Sequence, residues 1–387
     1  MWKGRGTGLV WPGHRSQTSA SARILGWDGI QVVMFGAKWV SLVQRPPLGR
    51  WHASERPSVR WFVNVGSGLV GTIRLSFMLG YFGPAGTFTH QAILALRESP
   101  HWGAFVDDAQ PYPSVAAALA AVRAGDAEAV MVPIENSVEG GVTATLDNLG
   151  DPDAAPLQIV AETIVKVTFD LAARPGTRLT DVKSVITHPH AAAQTRAWLE
   201  TTLPGATVTE QGSTAGAAEA VADPSSPFDA AICAPAATNL YGLTAVAHDI
   251  ADNDDAVTRF VLVARRGPCP APTGSDKTTF VAYMRANHSG ALLEILQQLA
   301  VRGVNLCRIE SRPTKTTLGS YCFSIDAEGH IDDARMSEAL MGLKRVCQDV
   351  VFLGSYPRAD EVTPHLPVGA DDAAYGAAAD WLKSLRN

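Results

Sequence analysis

Ala129-Val130-Met131-Val132-Pro133-Ile134-Glu135-Asn136-Ser137-Val138-Glu139-Gly140-Gly141-Val142 joins an unbroken apolar run to a polar, glycine-containing turn. Four consecutive apolar residues, two of them β-branched, read as a strand buried on both faces. The alanine-rich stretch Val115–Ala124 just upstream reads as a helix. The same alternation continues outward in both directions. Leu79–Phe82 reads as a strand before a helix near Thr89–Arg97. Ile159–Phe169 is strand-like, and a short strand carries Val182, Val185 and Ile186. A helix near Ala191–Thr201 follows, then strands at Ala230–Cys233 and Arg259–Val263. Strands alternating with helices predict an α/β domain over 78–265 with largely parallel sheets. Two such units form two lobes, and polar residues just past strand ends face the cleft between them.

At 387 residues the chain has room for two or three domains. Apolar residues make up 46% and charged residues 18%, which excludes a disordered or fibrous chain. A net charge of −6 argues against a nucleic-acid partner. No run of 18 apolar residues occurs, so no membrane span is expected. The five cysteines show no metal-ligand spacing, and so sparse a set fits a reducing compartment, the cytoplasm. Residues 1–77 differ from the rest. They hold ten Lys or Arg against two acids, and six of the nine tryptophans, with no persistent helical or strand period. They read as a disordered extension or an over-extended start; a targeting peptide is the other reading.

Beyond 265 the pattern changes. Residues 266–277, with Gly267-Pro268-Cys269-Pro270-Ala271-Pro272-Thr273-Gly274-Ser275, read as a linker. Thr279–Met284 reads as a strand. Leu292, Ile295, Leu296 and Leu299 form one helical face, ended by Gly303. Val304–Glu310 is a strand, and Tyr321, Phe323 and Ile325 mark a third. Met336, Leu340 and Leu343 mark a second helix, and Val350–Leu353 a fourth strand. The order βαββαβ over 278–357 predicts a ferredoxin-like module. A tail, 358–387, carries one helix near Ala373–Leu385.

Four stretches carry candidate chemistry. Gly83-Pro84-Ala85-Gly86-Thr87-Phe88-Thr89-His90 lies between strand and helix, where free N–H groups meet an anion. Lacking Gly-Lys-Ser/Thr, it is not a P-loop. Glu135-Asn136-Ser137 stands just past its strand, either facing the cleft or capping a turn. Thr187-His188-Pro189-His190 follows another strand, with Gln194 one turn beyond. Its histidines lack a third metal ligand at a recognisable spacing. Ser213-Thr214 reads as a plain N-cap. Thr258-Arg259-Phe260 opens the last strand of this domain and offers a hydroxyl and a guanidinium to a carboxylate.

Together these stretches resemble prephenate dehydratases: the Gly-Pro-x-Gly-Thr-Phe-Thr loop, Pro-Ile-Glu-Asn-Ser, Thr-His-Pro and Thr-Arg-Phe occur in that family's order. Gly290-Ala291-Leu292 and Glu310-Ser311-Arg312-Pro313 resemble the ligand motifs of its phenylalanine-sensing ACT domain. The resemblance spans 78 to about 357. It implies two lobes like those of periplasmic binding proteins, followed by the ACT module. This chain departs from the family in Ser289, where proline is usual, in Ala256, where asparagine is frequent, and in Thr187 and His190 within a run usually written Ser-His-Pro-Gln.

The resemblance implies conversion of prephenate to phenylpyruvate, water and carbon dioxide without a cofactor or metal. Thr258 is its implied hydrogen-bond donor to the departing hydroxyl, and Arg259 a group for a carboxylate if the strand bends, since strand side chains alternate. Thr87, Asn136, Ser137, Thr187 and Gln194 are implied substrate-positioning donors; the role of Glu135 stays open. L-Phenylalanine is implied as feedback effector, its carboxylate at Gly290 and Ala291, its ammonium at Glu310 and Ser311, its ring at Leu292. ACT modules pair side by side, so a homodimer or homotetramer is expected. Arogenate dehydratase and a non-enzymatic small-acid sensor are the competing readings.

Overall fold

The computed structural model describes residues 78–314 and 320–386 in full, together with the backbone of five strands nearer the start. The chain divides into two compact units, Met1–Phe77 and Met78–Asn387. In the first, β1 (Arg23–Trp27), β2 (Ile30–Phe35), β3 (Lys38–Val43), β4 (Val59–Val65) and β5 (Leu69–Leu75) pair in sequence order as an antiparallel meander. This differs from the expectation of no persistent period. Segments such as Ile30–Phe35 and Val59–Val65 are dense in β-branched and aromatic residues, which favour extended backbone without strict alternation. The rest of 1–77, on which the readings of disorder or targeting bear, lies outside the described residues.

The second unit opens with β6 (Leu79–Phe82), α1 (Phe88–Leu94), β7 (Gln110–Tyr112), α2 (Val115–Ala124), β8 (Ala129–Asn136), β9 (Gly140–Gly141), α3 (Thr143–Leu149) and β10 (Leu157–Lys166). The helix α2 begins where Ser114 Oγ accepts from Ala117 N at 3.1 Å, and ends at Gly125, whose φ of 86° suits glycine. Its face of Val115, Ala118, Leu119 and Val122 is buried against the sheet. Full burial of such a leucine or valine contributes about 1.5–3 kcal/mol.

The second lobe holds β11 (Asp170–Ala173), β12 (Ser184–Thr187), α4 (Pro189–Gln194), α5 (Arg196–Thr202), β13 (Thr207–Glu210), α6 (Thr214–Ala222), β14 (Ala230–Cys233), α7 (Pro235–Leu240) and β15 (Thr244–Ala247). Its sheet runs β13-β12-β14-β11-β15. The chain then returns to the first lobe as β16 (Val257–Arg265), completing the order β10-β16-β8-β6-β7, with β9 on β8. The two lobes are therefore joined twice, through 167–169 and 248–256. Val167 N donates to Ala256 O at 2.8 Å and Ile250 N to Phe169 O at 2.9 Å, so the crossings lie side by side.

The expectation of largely parallel sheets is corrected. The pairs β6–β7, β6–β8, β12–β13 and β12–β14 are parallel, but β16 is antiparallel to both β8 and β10, and β11 to β14 and β15. Strands that follow a crossing between lobes enter their sheet from the far end, which reverses them. The helix expected over 191–201 is two helices. It breaks at Thr195, whose Oγ1 donates to Ala191 O at 2.8 Å, a bond that competes with the helical ladder.

The C-terminal module is β17 (Asp276–Tyr283), α8 (Ala291–Ala300), β18 (Leu306–Pro313), β19 (Tyr321–Glu328), α9 (Ala334–Val346) and β20 (Asp349–Pro357), in the order βαββαβ that the sequence predicts. Its sheet is antiparallel throughout, ordered β18-β19-β17-β20. One sheet face packs under the helices through Phe280, Ile325, Ile295, Leu299, Met336 and Leu343. Leu292, expected on that helical face, is 38% exposed. The opposite face closes on the first lobe: Val281, Cys322, Leu353 and Tyr356 share one apolar core with α2, α3 and β8. The tail carries α10 (Asp372–Ser384). Among the described residues, no helix is long and apolar enough to cross a membrane.

Candidate active site

The strand β8 runs four residues further than its apolar run suggested, so Glu135 and Asn136 lie within it rather than beyond it. Proline is tolerated there because Pro133 stands at a bulge: Arg259 faces Glu135 and Phe260 faces Pro133, leaving Ile134 as the extra residue. The register sets Thr258 directly opposite Asn136. Asn136 Nδ2 donates to Thr258 Oγ1 at 2.9 Å, while its Oδ1 accepts from Val138 N at 2.8 Å and Glu139 N at 3.1 Å. Both ends of the amide are thereby held. Since Thr258 Oγ1 receives the amide hydrogen, its own O–H is free to donate elsewhere.

These residues line a cleft of about 410 Å³ between the lobes, floored by Val167 and Phe169 of the crossing. Thr87, Asn136, Gln194 and Thr258 all reach it. Phe82, Pro113, His188, His190, Glu139, Ser213 and Thr214, which the sequence did not assign to a substrate site, line it too. Ser213 does cap α6, its Oγ accepting from Gly216 N at 3.0 Å. The signal for its second role was its place after strand β13, as with the other cleft loops. Thr87 caps α1 through His90 N at 3.3 Å. Gln194 Oε1 is buried without a hydrogen-bond partner. Burial, reinforced by the neighbouring His190, lowers the pKa of His188 below the usual imidazole value.

Three expected donors are elsewhere. Ser137 is a clamp between strand ends, with Oγ accepting from Val257 N at 3.0 Å. Thr187 is fully buried and its hydroxyl donates to Ile232 O at 2.8 Å. Arg259 is 7% exposed and leaves the cleft entirely, because alternation along β16 sends it to the opposite sheet face from Thr258. There Nη1 donates to Glu162 at 3.1 Å, Nη2 to Asp326 of the C-terminal module, and Nε lies 3.3 Å from Glu135. Lys277 binds both oxygens of Glu162 at 3.0 Å, and Arg308 binds Asp326 at 2.9 Å. Burial alone would raise the Asp326 carboxyl's pKa; Arg259 and Arg308 overcome it and hold it well below the usual carboxylate range. Hence the residue beside Thr258 is bonded directly into the sheet of the C-terminal module, a link that sequence motifs do not reveal.

In the module, Gly290 caps α8 in the left-handed region, φ 92°, with open space around it. Glu310 and Ser311 fall on opposite faces of β18: Glu310 pairs across to Ser324 and lies 3.5 Å from Arg308, whereas Ser311 pairs across to Phe323. Only Ser311 shares the helix-covered face with α8. Among the described residues, no group of three His, Cys, Asp or Glu side chains could hold a metal ion.

A family model for prephenate dehydratase matches residues 79–268. The chain is 46% identical over 316 residues to the prephenate dehydratase of Mycolicibacterium vanbaalenii, covering 80% of this chain and 98% of that protein. The crystal structure of prephenate dehydratase from Arthrobacter aurescens in complex with L-Phe matches with a TM-score of 0.73 at 48% identity, over 80% of this chain and 99% of that one. GqqA, a quorum quenching acylase, matches with a TM-score of 0.63 at 32% identity, over 72% of this chain and 97% of that one.

Proposed function

The chain belongs to the prephenate dehydratase family and is a carbon–oxygen lyase, and from this premise we propose that the cleft at Thr258 converts prephenate to phenylpyruvate, water and carbon dioxide. The observation that carries the reading is the Asn136–Thr258 bond, which aims a free hydroxyl donor into the cleft. As the ring C–O bond breaks, the electrons of the ring C–carboxylate bond enter the ring. Carbon dioxide leaves, and the departing oxygen takes a proton to become water. Aromatisation drives the step. A threonine hydroxyl is a weak acid, so Thr258 acts by donating a hydrogen bond to the developing hydroxide within its polarised pair with Asn136. A positioned donor of this kind is worth about a hundred- to ten-thousand-fold in rate. Thr87 and Gln194, which line the cleft, orient the substrate in this reading.

The C-terminal module serves as an ACT-type phenylalanine sensor in this reading, because the Arthrobacter aurescens relative binds L-Phe. The effector's carboxylate meets the start of α8 at Gly290 and Ala291, with Ser311 on the same sheet face and the ring near Leu292. The ammonium partner is then a group other than Glu310, which is turned toward the catalytic lobe. Paired modules make the protein a homodimer or homotetramer.

The deciding experiment is incubation with prephenate and detection of phenylpyruvate absorbance in alkali. Thr258→Val, which keeps the β-branched shape, should lower kcat about a hundredfold with a smaller change in KM. Arogenate in parallel sets the substrate preference, and no product above the spontaneous rate would favour a sensor. An acylase would need Thr258 deprotonated by a base. Its side-chain partner is instead an amide donor, so an N-acyl amide probe should remain intact.

A further inference from the structure

A substrate with two carboxylates calls for positive charge in the cleft, yet the alternation that carries Thr258 into the cleft carries Arg259 out of it. Among the described residues lining the cleft, those able to carry positive charge are His188 and His190. They stand at the start of α4 on the second lobe, rings edge to face with centroids 4.8 Å apart. His190 Nδ1 lies 2.9 Å from Glu139 Oε2, which belongs to the β8–β9 turn of the first lobe. Gln194 Nε2 approaches the other oxygen of the same carboxylate at 3.5 Å. Two donors of one lobe thus converge on a carboxylate supplied by the other, across the mouth of the cleft.

We propose that the Glu139 carboxylate holds the place of a substrate carboxylate, and that protonated His190 is a substrate-binding residue that exchanges Glu139 for it. The inference rests on the reading of the cleft as a prephenate site. The exchange is easy because the pair is open to water, with side chains 64% and 40% exposed, and exposed ion pairs contribute little to stability. Bound substrate then accepts from His190 Nδ1–H and from Gln194 Nε2, while Thr258 and Asn136 serve the ring. The groups facing His190 are Glu139 from the first lobe and His188 on its own element, and Glu210 at the end of β13 acts on His188. Repulsion between the rings disfavours a second proton on the pair.

The test is KM and kcat for prephenate in the full chain from about pH 5.5 to 8.5, for wild type and His190→Gln. Wild-type KM should rise about tenfold from the acid to the alkaline end of that range. His190→Gln should raise KM about tenfold near pH 6, with the loss in KM rather than kcat, and should converge with wild type near pH 8.5. A variant KM within about twofold of wild type near pH 6, or an equal rise at both ends of the range, would overturn the inference. A wild type that does not turn over prephenate overturns the underlying reading instead.

Discussion

Asp326→Asn removes one charge from the centre of the network that joins β16, the strand of Thr258, to the C-terminal sheet. The carboxylate is fully buried and accepts from Arg259, from Arg308 at 2.9 Å and from Thr279 at 2.8 Å. Asparagine preserves the shape and one acceptor oxygen, but two buried guanidinium groups lose their shared counter-charge. Arg259 keeps Glu162 at 3.1 Å and Glu135 at 3.3 Å, whereas Arg308 keeps Glu310 at 3.5 Å. Breaking a buried pair by removing one partner costs about 3–5 kcal/mol, and the retained oxygen places this change near 3. The assay is urea unfolding of both proteins at a series of pH values. The Asp326 pKa is depressed in the folded state, so its stabilisation is fully present above the unfolded value, about 4. It is lost as pH falls toward the folded value. The gap between the proteins should therefore be about 3 kcal/mol near pH 7 and narrow below pH 4. An unchanged midpoint near pH 7, or a gap that widens in acid, would refute the argument. Because Arg259 adjoins Thr258 on β16, kcat should fall along with stability.

Two further substitutions separate the module from the cleft. Arg259→Lys should lower the urea midpoint while KM for prephenate stays within about twofold, because a point charge cannot span Glu162 and Asp326 as a fork does; a selective rise in KM would return Arg259 to the substrate. Gly290→Val should abolish inhibition by L-phenylalanine in a steady-state titration. A β-branched residue at φ 92° also adds strain of about 1–3 kcal/mol, so uninhibited turnover is compared at a temperature well below unfolding. Persistent inhibition would move the effector site away from α8.

Much of the architecture was legible from local pattern. The apolar run at 129–132, the helix over 115–124 and the βαββαβ order beyond 276 follow from burial and periodicity, which neighbouring residues settle among themselves. The motifs also picked out Thr87, Asn136, Gln194 and Thr258, four residues distant in the chain that meet in one cleft. Strand direction was not legible, because whether a strand is parallel depends on where the chain re-enters the sheet. Arg259 shows why side-chain destination escapes sequence: alternation says that it opposes Thr258, but only the packed structure reveals Glu162 of the neighbouring β10 and Asp326 of the docked module waiting on that face. Glu310 and Ser311 are adjacent in sequence and for that reason lie on opposite faces of β18. Likewise the Glu139–His190 contact joins turns from two lobes that have no sequence relation. Local patterns depend on bonds and burial within a few residues. The charges that meet across the cleft and the module interface depend on how separately folded pieces pack, which only the tertiary structure decides.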